Sequence, residues 1–219
     1  MFGILLIDKP AGISSFGVVA RVRWRLSQLA GKKIKVGHTG TLDPFATGLM
    51  IIVVGSYCKR ASEFSKLDKS YTATVRLGQT STTGDPEGEI VYAGTGKPTQ
   101  KDIETALASF RGEIKQTPPA YSAIKINGQR AYKLARQGQE VEMPVRAVTV
   151  SELKVLDYSY PELKIVCDVS SGTYIRTLAE DIGKKLGTGA YTSALRRTRV
   201  GRYSIDDAIS IDDELVFKA

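Results

Sequence analysis

Residues 36–55 read VGHTGTLDPFATGLMIIVVG, a stiff polar loop running straight into an apolar run. The loop holds the chain's only histidine, His38, and sets Asp43 directly against Pro44. The proline ring pushes its neighbour out of the right-handed helical region, so the Asp43 carboxylate takes a restricted direction. Gly37, Gly40 and Gly48 allow tight turning or close approach of the backbone, at an entropic cost. Linkers collect the same residue types, so the loop reads either as an ordinary connection or as the holder of a reactive carboxylate. The LMIIVVG that follows is too uniformly apolar for a half-exposed strand, and it predicts a central strand buried on both faces.

Upstream, GILLID has strand length and is closed by the turn residues Lys9, Pro10 and Gly12. A helix should follow, capped by Ser14 or Ser15, with Val18, Val22, Leu26 and Leu29 as its apolar stripe and Arg21 and Arg25 turned to water or phosphate. Downstream, a short helix is expected near residues 59–67, and the alternating SYTATVRLG predicts a strand with Tyr71, Ala73 and Val75 on one face. TQKDIETALASFRG reads as a capped helix ended by Gly112. Asn127-Gly128 signals a hairpin before a short basic helix. RAVTVSELKVL and ELKIVCDVSSG read as strands, and TYIRTLAEDIGKKLG as a helix with Ile175, Leu178, Ile182 and Leu186 facing inward. Several adjacent strands are joined by turns too short for parallel crossovers. The expected class is therefore α/β of the α+β type, with a central mixed, largely antiparallel sheet flanked by helices.

Lys plus Arg number 31 against 23 Asp plus Glu, a formal charge of +8. The tail from residue 206 carries Asp206, Asp207, Asp212, Asp213 and Glu214 against Lys218 alone, so the body is the basic part. Basic residues gather in 21–35 and again at Arg196, Arg197, Arg199 and Arg202. Charge of this kind favours approach to a phosphate backbone, although a merely solvated surface has the same composition. Cys58 and Cys167 lie far apart and read as small buried hydrophobes of a reducing compartment, and the usual structural zinc patterns are absent. No apolar run approaches the length needed to span a bilayer, and the N-terminus does not read as a signal peptide. A cytoplasmic soluble protein is expected.

Residues 37–48, GHTGTLDPFATG, resemble the catalytic motif of the TruB-type tRNA pseudouridine synthases, bacterial enzymes that isomerise the uridine at position 55 in the TΨC loop. LLIDKPAGISS, KSYTATVRLGQTSTTGDPEG, QTPPAYSAIKINGQRAYKLARQG, CDVSSGTYIRTLAEDIGKKLG and LRRTRVG resemble the family's other blocks, in order, from about residue 3 to about residue 202. The resemblance implies the pseudouridine synthase fold, a catalytic domain over 1–205 with an RNA-clamping insertion at about 120–145, and a short acidic tail over 206–219. Relatives carry a further RNA-binding domain of the PUA type. Only 17 residues follow Arg202, too few to fold as such a domain, so none is expected.

For the site, the resemblance implies Asp43 as the catalytic carboxylate, Arg176 as the cation that keeps it ionised and aimed, and Tyr71 stacked on the target uracil. Read without it, Arg176, Glu180 and Lys184 form an exposed i, i+4 ladder, Tyr71 is a strand aromatic and His38 a loop histidine. The resemblance gives His38 to RNA binding, as a wedge in the space left by the flipped base, and Tyr174 and Leu195 to the substrate pocket. It implies that Lys125, Arg130, Lys133 and Arg136 form a clamp over the T loop. The arginines around Arg196 and the helix of Arg21 are expected to grip phosphates. It implies tRNA, through its T arm, as partner, a monomer with no obligatory protein partner, no membrane, no metal and no cofactor. Two other readings stand beside it: an RNA-folding chaperone on the same scaffold, and a guide-dependent synthase subunit.

Overall fold

The computed structural model describes residues 1–126 and 128–218. In chain order its elements are β1 (Gly3–Lys9), α1 (Ser15–Ala30), β2 (Val36–His38), β3 (Thr47–Val54), α2 (Ala61–Ser65), β4 (Lys69–Leu77), β5 (Gln79–Ser81) and β6 (Ile90–Tyr92). They continue with α3 (Gln100–Ala108), β7 (Gly112–Gln116), β8 (Lys125–Ile126), β9 (Gln129–Arg130), α4 (Ala131–Arg136), β10 (Arg146–Ser159) and β11 (Glu162–Val169). The last are α5 (Ile175–Lys185), β12 (Ala190–Val200), β13 (Tyr203–Ser204) and β14 (Ile209–Ser210). The fold is mixed α/β, as expected. The chain divides into two compact units, one of Met1–Tyr71 with Leu195–Ala219 and one of Thr72–Ala194. No helix among the described residues is long and apolar enough to cross a membrane.

In the first unit β3 is central. It pairs antiparallel with β1, from Gly3 opposite Val54 to Lys9 opposite Gly48, and parallel with β12 at Arg196 and Arg197. Every β3 residue after Thr47 is buried, which bears out the two-sided burial read from LMIIVVG. Ile4, Leu6, Leu49, Ile51 and Val53 share one core with Phe64 and Val200, and strand alternation sends Leu5, Ile7, Met50 and Ile52, also buried, to the opposite face. At about 25 cal/mol per Å² of apolar surface removed from water, this doubly covered strand is a principal source of stability.

Helix α1 is capped by Ser14, whose Oγ accepts from Gly17 N at 3.0 Å, and ended by Gly31 in the left-handed region. Val18, Val22 and Leu26 are buried as predicted. Leu29 is not: it is 72% exposed, because it lies on the same stripe but in the last turn, where the helix has outrun its cover. Arg25 does not face phosphate either. It donates to Ile211 O at 2.5 Å and Asp213 O at 2.6 Å, while Arg21 pairs with the Asp212 carboxylate. The acidic tail is thus folded onto α1, and β14 extends the sheet by pairing parallel with β1.

In the second unit β10 pairs antiparallel with β11 on one side and β7 on the other. Helix α3 starts at a capping box, Thr99 with Asp102, and buries Ile103, Ala106 and Leu107. Helix α5 buries Ile175, Leu178 and Ile182, while Leu186 is only half-buried. Asn127 of the predicted hairpin lies outside the described residues, but β8 and β9 pair around it, with Lys125 opposite Arg130. Cys167 is fully buried in β11, whereas Cys58 is half-buried, its thiol donating to Val53 O at 3.4 Å.

Gly48 joins the loop to β3 at φ +107°, and a Cβ there would meet the Arg197 carbonyl oxygen and lie 2.7 Å from its nitrogen. Both the backbone conformation and the main-chain neighbour exclude a side chain. Gly48→Ala should therefore lower the unfolding free energy by about 3 kcal/mol in urea titration, against about 1 kcal/mol for Gly31→Ser, where the left-handed backbone alone opposes a side chain.

Candidate active site

The loop between β2 and β3 is held by three side chains that lie outside it. Lys9 is fully buried, and its ammonium donates to Pro10 O at 2.8 Å, Ile13 O at 2.8 Å and Pro44 O at 3.1 Å. Three donors meet three carbonyls, which offsets the cost of taking the charge out of water. Ser15, also buried, accepts from Leu42 N at 2.8 Å and donates to Leu42 O at 2.7 Å. Arg197, 2% exposed, donates from Nε to Leu49 O at 2.7 Å, from Nη2 to Gly40 O at 3.3 Å and from Nη1 to Thr41 O at 3.4 Å. Asp43 sits between Leu42 and Pro44, so the main chain is clamped on both sides of it. Its own carbonyl accepts from Ala46 N at 3.1 Å, closing a tight turn, and the residue is half-buried.

These contacts correct the expectation that the Arg196 cluster grips phosphates. Arg197 binds the loop from inside. Arg196 makes a bidentate pair with Asp8, at 3.1 and 2.7 Å, and Arg199 donates to Ser70 Oγ at 2.9 Å and Gly201 O at 3.0 Å. Arg202 alone of the four is exposed, lying against the Tyr203 ring. Lys9, read as a turn residue, and Ser15, read as a possible cap, were missed as loop supports. Sequence spacing carried no signal for either, since the loop groups they meet, Pro44 O for Lys9 and Leu42 N and O for Ser15, are more than 25 residues away.

In the same unit His38 is half-buried on β2, in register with Ile52 of β3. Tyr71 and Leu195 are buried, on β4 and β12. Tyr71 shares its strand face with the buried Ala73 and Val75, as the alternation predicted. Two residues before it, Lys69 is buried and donates to the carbonyls of Ser65, at 2.7 Å, and Leu67. Burial, and then the charge of Arg197, lowers its pKa to about 8.

The second unit holds Arg176 and Tyr174. Arg176 is no rung of an exposed ladder: Lys184 pairs with Asp181 instead, and Arg176 forms an ion pair with Asp85 at 3.2 Å, the two side chains 4% and 5% exposed. Arg176 also donates to Thr83 O at 2.8 Å and Tyr121 O at 2.9 Å. Asp85 accepts from Thr83 Oγ1 at 2.6 Å and Glu87 N at 3.0 Å, so both ions have hydrogen bonds beyond their own. Glu180 lies against Gly84 one helical turn on, and burial pushes its carboxyl up from the usual range. Asp85 was quoted only within the KSYTATVRLGQTSTTGDPEG block, with no role of its own.

Tyr174 is half-buried at the start of α5, its amide N donating to Gln116 Oε1 at 2.7 Å and its carbonyl accepting from Gln116 Nε2 at 3.0 Å. Lys125, Arg130, Lys133 and Arg136 are all exposed on the β8–β9 hairpin and α4, which is rooted by the buried Ala131 and by Tyr132 N donating to Ser122 O at 3.0 Å. Among the described residues no group of three or more His, Cys, Asp or Glu side chains could hold a metal ion.

Two family models match the chain. The TruB family pseudouridylate synthase N-terminal domain covers residues 27–175, and the tRNA pseudouridylate synthase B C-terminal domain covers residues 176–215. A tRNA pseudouridine synthase B of Mycobacterium sp. (strain KMS) is 48% identical over 216 residues, 96% of this chain and 71% of that protein. One from Parabacteroides distasonis is 47% identical over 97% of this chain and 92% of its own length. Among solved structures, a chain of a Cbf5-Nop10-Gar1 complex superposes with a TM-score of 0.73 at 30% identity over 95% of this chain. This chain spans 52% of that one. A pseudouridylate synthase at 14% identity, TM-score 0.52, shares the fold.

Replacing Lys9 by Met removes the ammonium and leaves the Pro44 carbonyl to Gly12 N alone. We expect a loss of about 3 kcal/mol in urea titration, with a further loss of catalytic rate in the protein that remains folded. Lys69 offers a pH test. Its folded-state pKa, about 8, lies below its ordinary 10.5, so between these values the folded protein holds fewer protons than the unfolded chain. Its contribution to stability therefore rises with pH through that window. The unfolding free energy of wild type relative to Lys69→Met should climb from pH 8 to 10, and a flat difference would refute the depressed pKa.

Proposed function

The chain belongs to the TruB family of pseudouridylate synthases, and from that membership we propose that it isomerises the uridine at position 55 in the TΨC loop of tRNA. It is an isomerase of the tRNA pseudouridine synthase class. The reaction breaks the bond from ribose C1′ to uracil N1, turns the base while it stays bound, and joins C1′ to C5, the C5 proton leaving as N1 takes one up. No external energy source is required, and no metal or cofactor enters the reading.

Asp43 is the anion of this reaction, attacking the ribose C1′ region or stabilising the positive charge that develops when the glycosidic bond breaks. The observation that carries the reading is the clamping of the main chain on both sides of Asp43 by buried Lys9, Ser15 and Arg197. A carboxylate aimed by its own backbone loses little entropy at the moment of reaction. Arg176 is proposed as the cation that keeps Asp43 ionised, and Tyr71 as the ring that stacks on the flipped uracil. Stacking is worth about 1–3 kcal/mol, comparable with the few kcal/mol lost on unstacking the base. His38 fills the space the base leaves, and Tyr174 and Leu195 line the pocket. Lys125, Arg130, Lys133 and Arg136 close over the T loop, contributing phosphate affinity rather than sequence choice.

In this reading the protein acts in the cytoplasm as a monomer with no obligatory protein partner. Residues 1–205 form its catalytic body, with residues 206–219 as a tail. The Cbf5 likeness is compatible with a guide-dependent subunit but does not favour one.

Tritium release from C5-labelled uridine in a T-arm minihelix tests the assignment. Wild type alone should release tritium, and Asp43→Asn should abolish release while binding the RNA within about twofold of wild type. Arg176→Ala should cost at least about a hundredfold in turnover and far less in affinity. Undiminished release by Asp43→Asn, or equal losses of turnover and affinity in Arg176→Ala, would overturn these roles.

A further inference from the structure

Two adjoining cavities on the second unit take no part in the proposed catalysis. The larger, about 450 Å³, is lined by Lys97, Lys101 and Lys185, which come from the segment before α3, the first turn of α3 and the last turn of α5. The smaller, about 270 Å³, shares Lys97 and adds Arg76, Tyr92 and Tyr160. We propose that this groove binds a single-stranded segment of the tRNA outside the T arm, with backbone phosphates on the three lysines and a base against the tyrosines. The proposal rests on the reading of the protein as a tRNA-modifying enzyme and extends its contact with that substrate.

The charges are arranged for an anion. None of the three lysines forms an ion pair among the described residues. One acid, Asp102, lines the groove, and Glu162 adjoins it next to Pro161; both are engaged. Asp102 accepts from Thr99 N at 2.8 Å and Thr99 Oγ1 at 2.6 Å in the capping box of α3, and Glu162 pairs with Arg76 at 3.4 Å. Lys101 also stands in the first turn of α3, where the helix dipole disfavours a cation. Three cations from separate elements repel one another unless an anion joins them, and a phosphate backbone is the anion the reaction supplies.

The smaller cavity provides the surface for a base. Tyr92 is 65% exposed on β6, although the strand carries two other exposed apolar residues, Ile90 and Val91. Tyr160 lies over Gly78, where a Cβ would come within 2.7 Å of its hydroxyl, so the bare glycine lets the ring settle onto the chain. Lys97 Nζ stands 5.6 Å from the centroid of the Tyr160 ring, a position from which it can serve a phosphate joined to a base stacked there. The segment carrying Lys97 is held by Tyr158, whose hydroxyl donates to Pro98 O at 2.7 Å. Aromatic faces beside lysines on a fixed segment are the features with which proteins hold single-stranded nucleic acid without reading its sequence.

Fluorescence anisotropy with full-length tRNA transcript and with the T-arm minihelix tests the groove. The triple variant Lys97→Glu, Lys101→Glu, Lys185→Glu should bind tRNA about tenfold more weakly at moderate salt, and the slope of log affinity against log salt should fall by about 2. Its minihelix affinity should stay within about twofold of wild type. Tyr92→Ala should weaken tRNA binding at least about fivefold with the salt slope unchanged. Unchanged tRNA affinity in the triple variant, or equal losses on both RNAs, would overturn the proposal. Tritium release from the minihelix, measured on the same preparations, reports folding and tests the catalytic reading separately, because none of these residues belongs to it.

Discussion

Buried cations hydrogen-bonded to main-chain carbonyls are the constraint on which the first unit depends. Lys9 ends β1 and Arg197 lies within β12, the strands on either side of β3, and both reach back onto the loop that feeds it. A loop with glycines at 37, 40 and 48 would otherwise be free to fluctuate, and its polar backbone could not enter the protein without partners. The two cations provide those partners from inside, so the loop is rigid without being apolar. Removing either takes a donor away from the carbonyls that flank Asp43, which couples folding stability to the aim of one carboxylate.

The same principle orders the second unit around Arg176. Its guanidinium joins Asp85, Thr83 and Tyr121, three points on the segments leaving β5 and β7. The 116–121 segment is further tied to α5 by the paired hydrogen bonds of Gln116 with Tyr174. The basic hairpin and α4 therefore project from a root fixed to the helix start that carries Arg176. In this arrangement the exposed cations at the tip are supported by buried polar contacts rather than by a hydrophobic core of their own.

Positive charge in this protein is consequently of two kinds. One part is internal scaffolding, as with Lys9, Lys69, Arg176 and Arg197. Part of the remainder is masked by the chain itself, since Arg21 and Arg25 hold the acidic tail and Arg196 holds Asp8. What faces solvent without an ion pair among the described residues includes the cations of the β8–β9 hairpin and α4, those of the groove around Lys97, and Lys32, Lys33 and Lys35 after α1. Net charge alone overstates the surface open to phosphate, and the sign of a cluster does not reveal its direction.

Periodicity in the sequence was enough for the central strand, most of the buried faces of α1 and α5, the alternation through Tyr71 and the mixed sheet, because each depends on neighbours two to four residues apart. The loop of Asp43 and the helix of Arg176 were legible as motifs for the same local reason. Leu29 was misread because helical spacing does not say where the cover of a helix ends. The roles of Lys9, Ser15, Asp85 and Arg197 were decided only by tertiary structure. Each meets a partner that strand pairing or helix packing brings near from a distant part of the chain, and a lysine or arginine that satisfies carbonyls inside has the same letter as one that waits for phosphate outside.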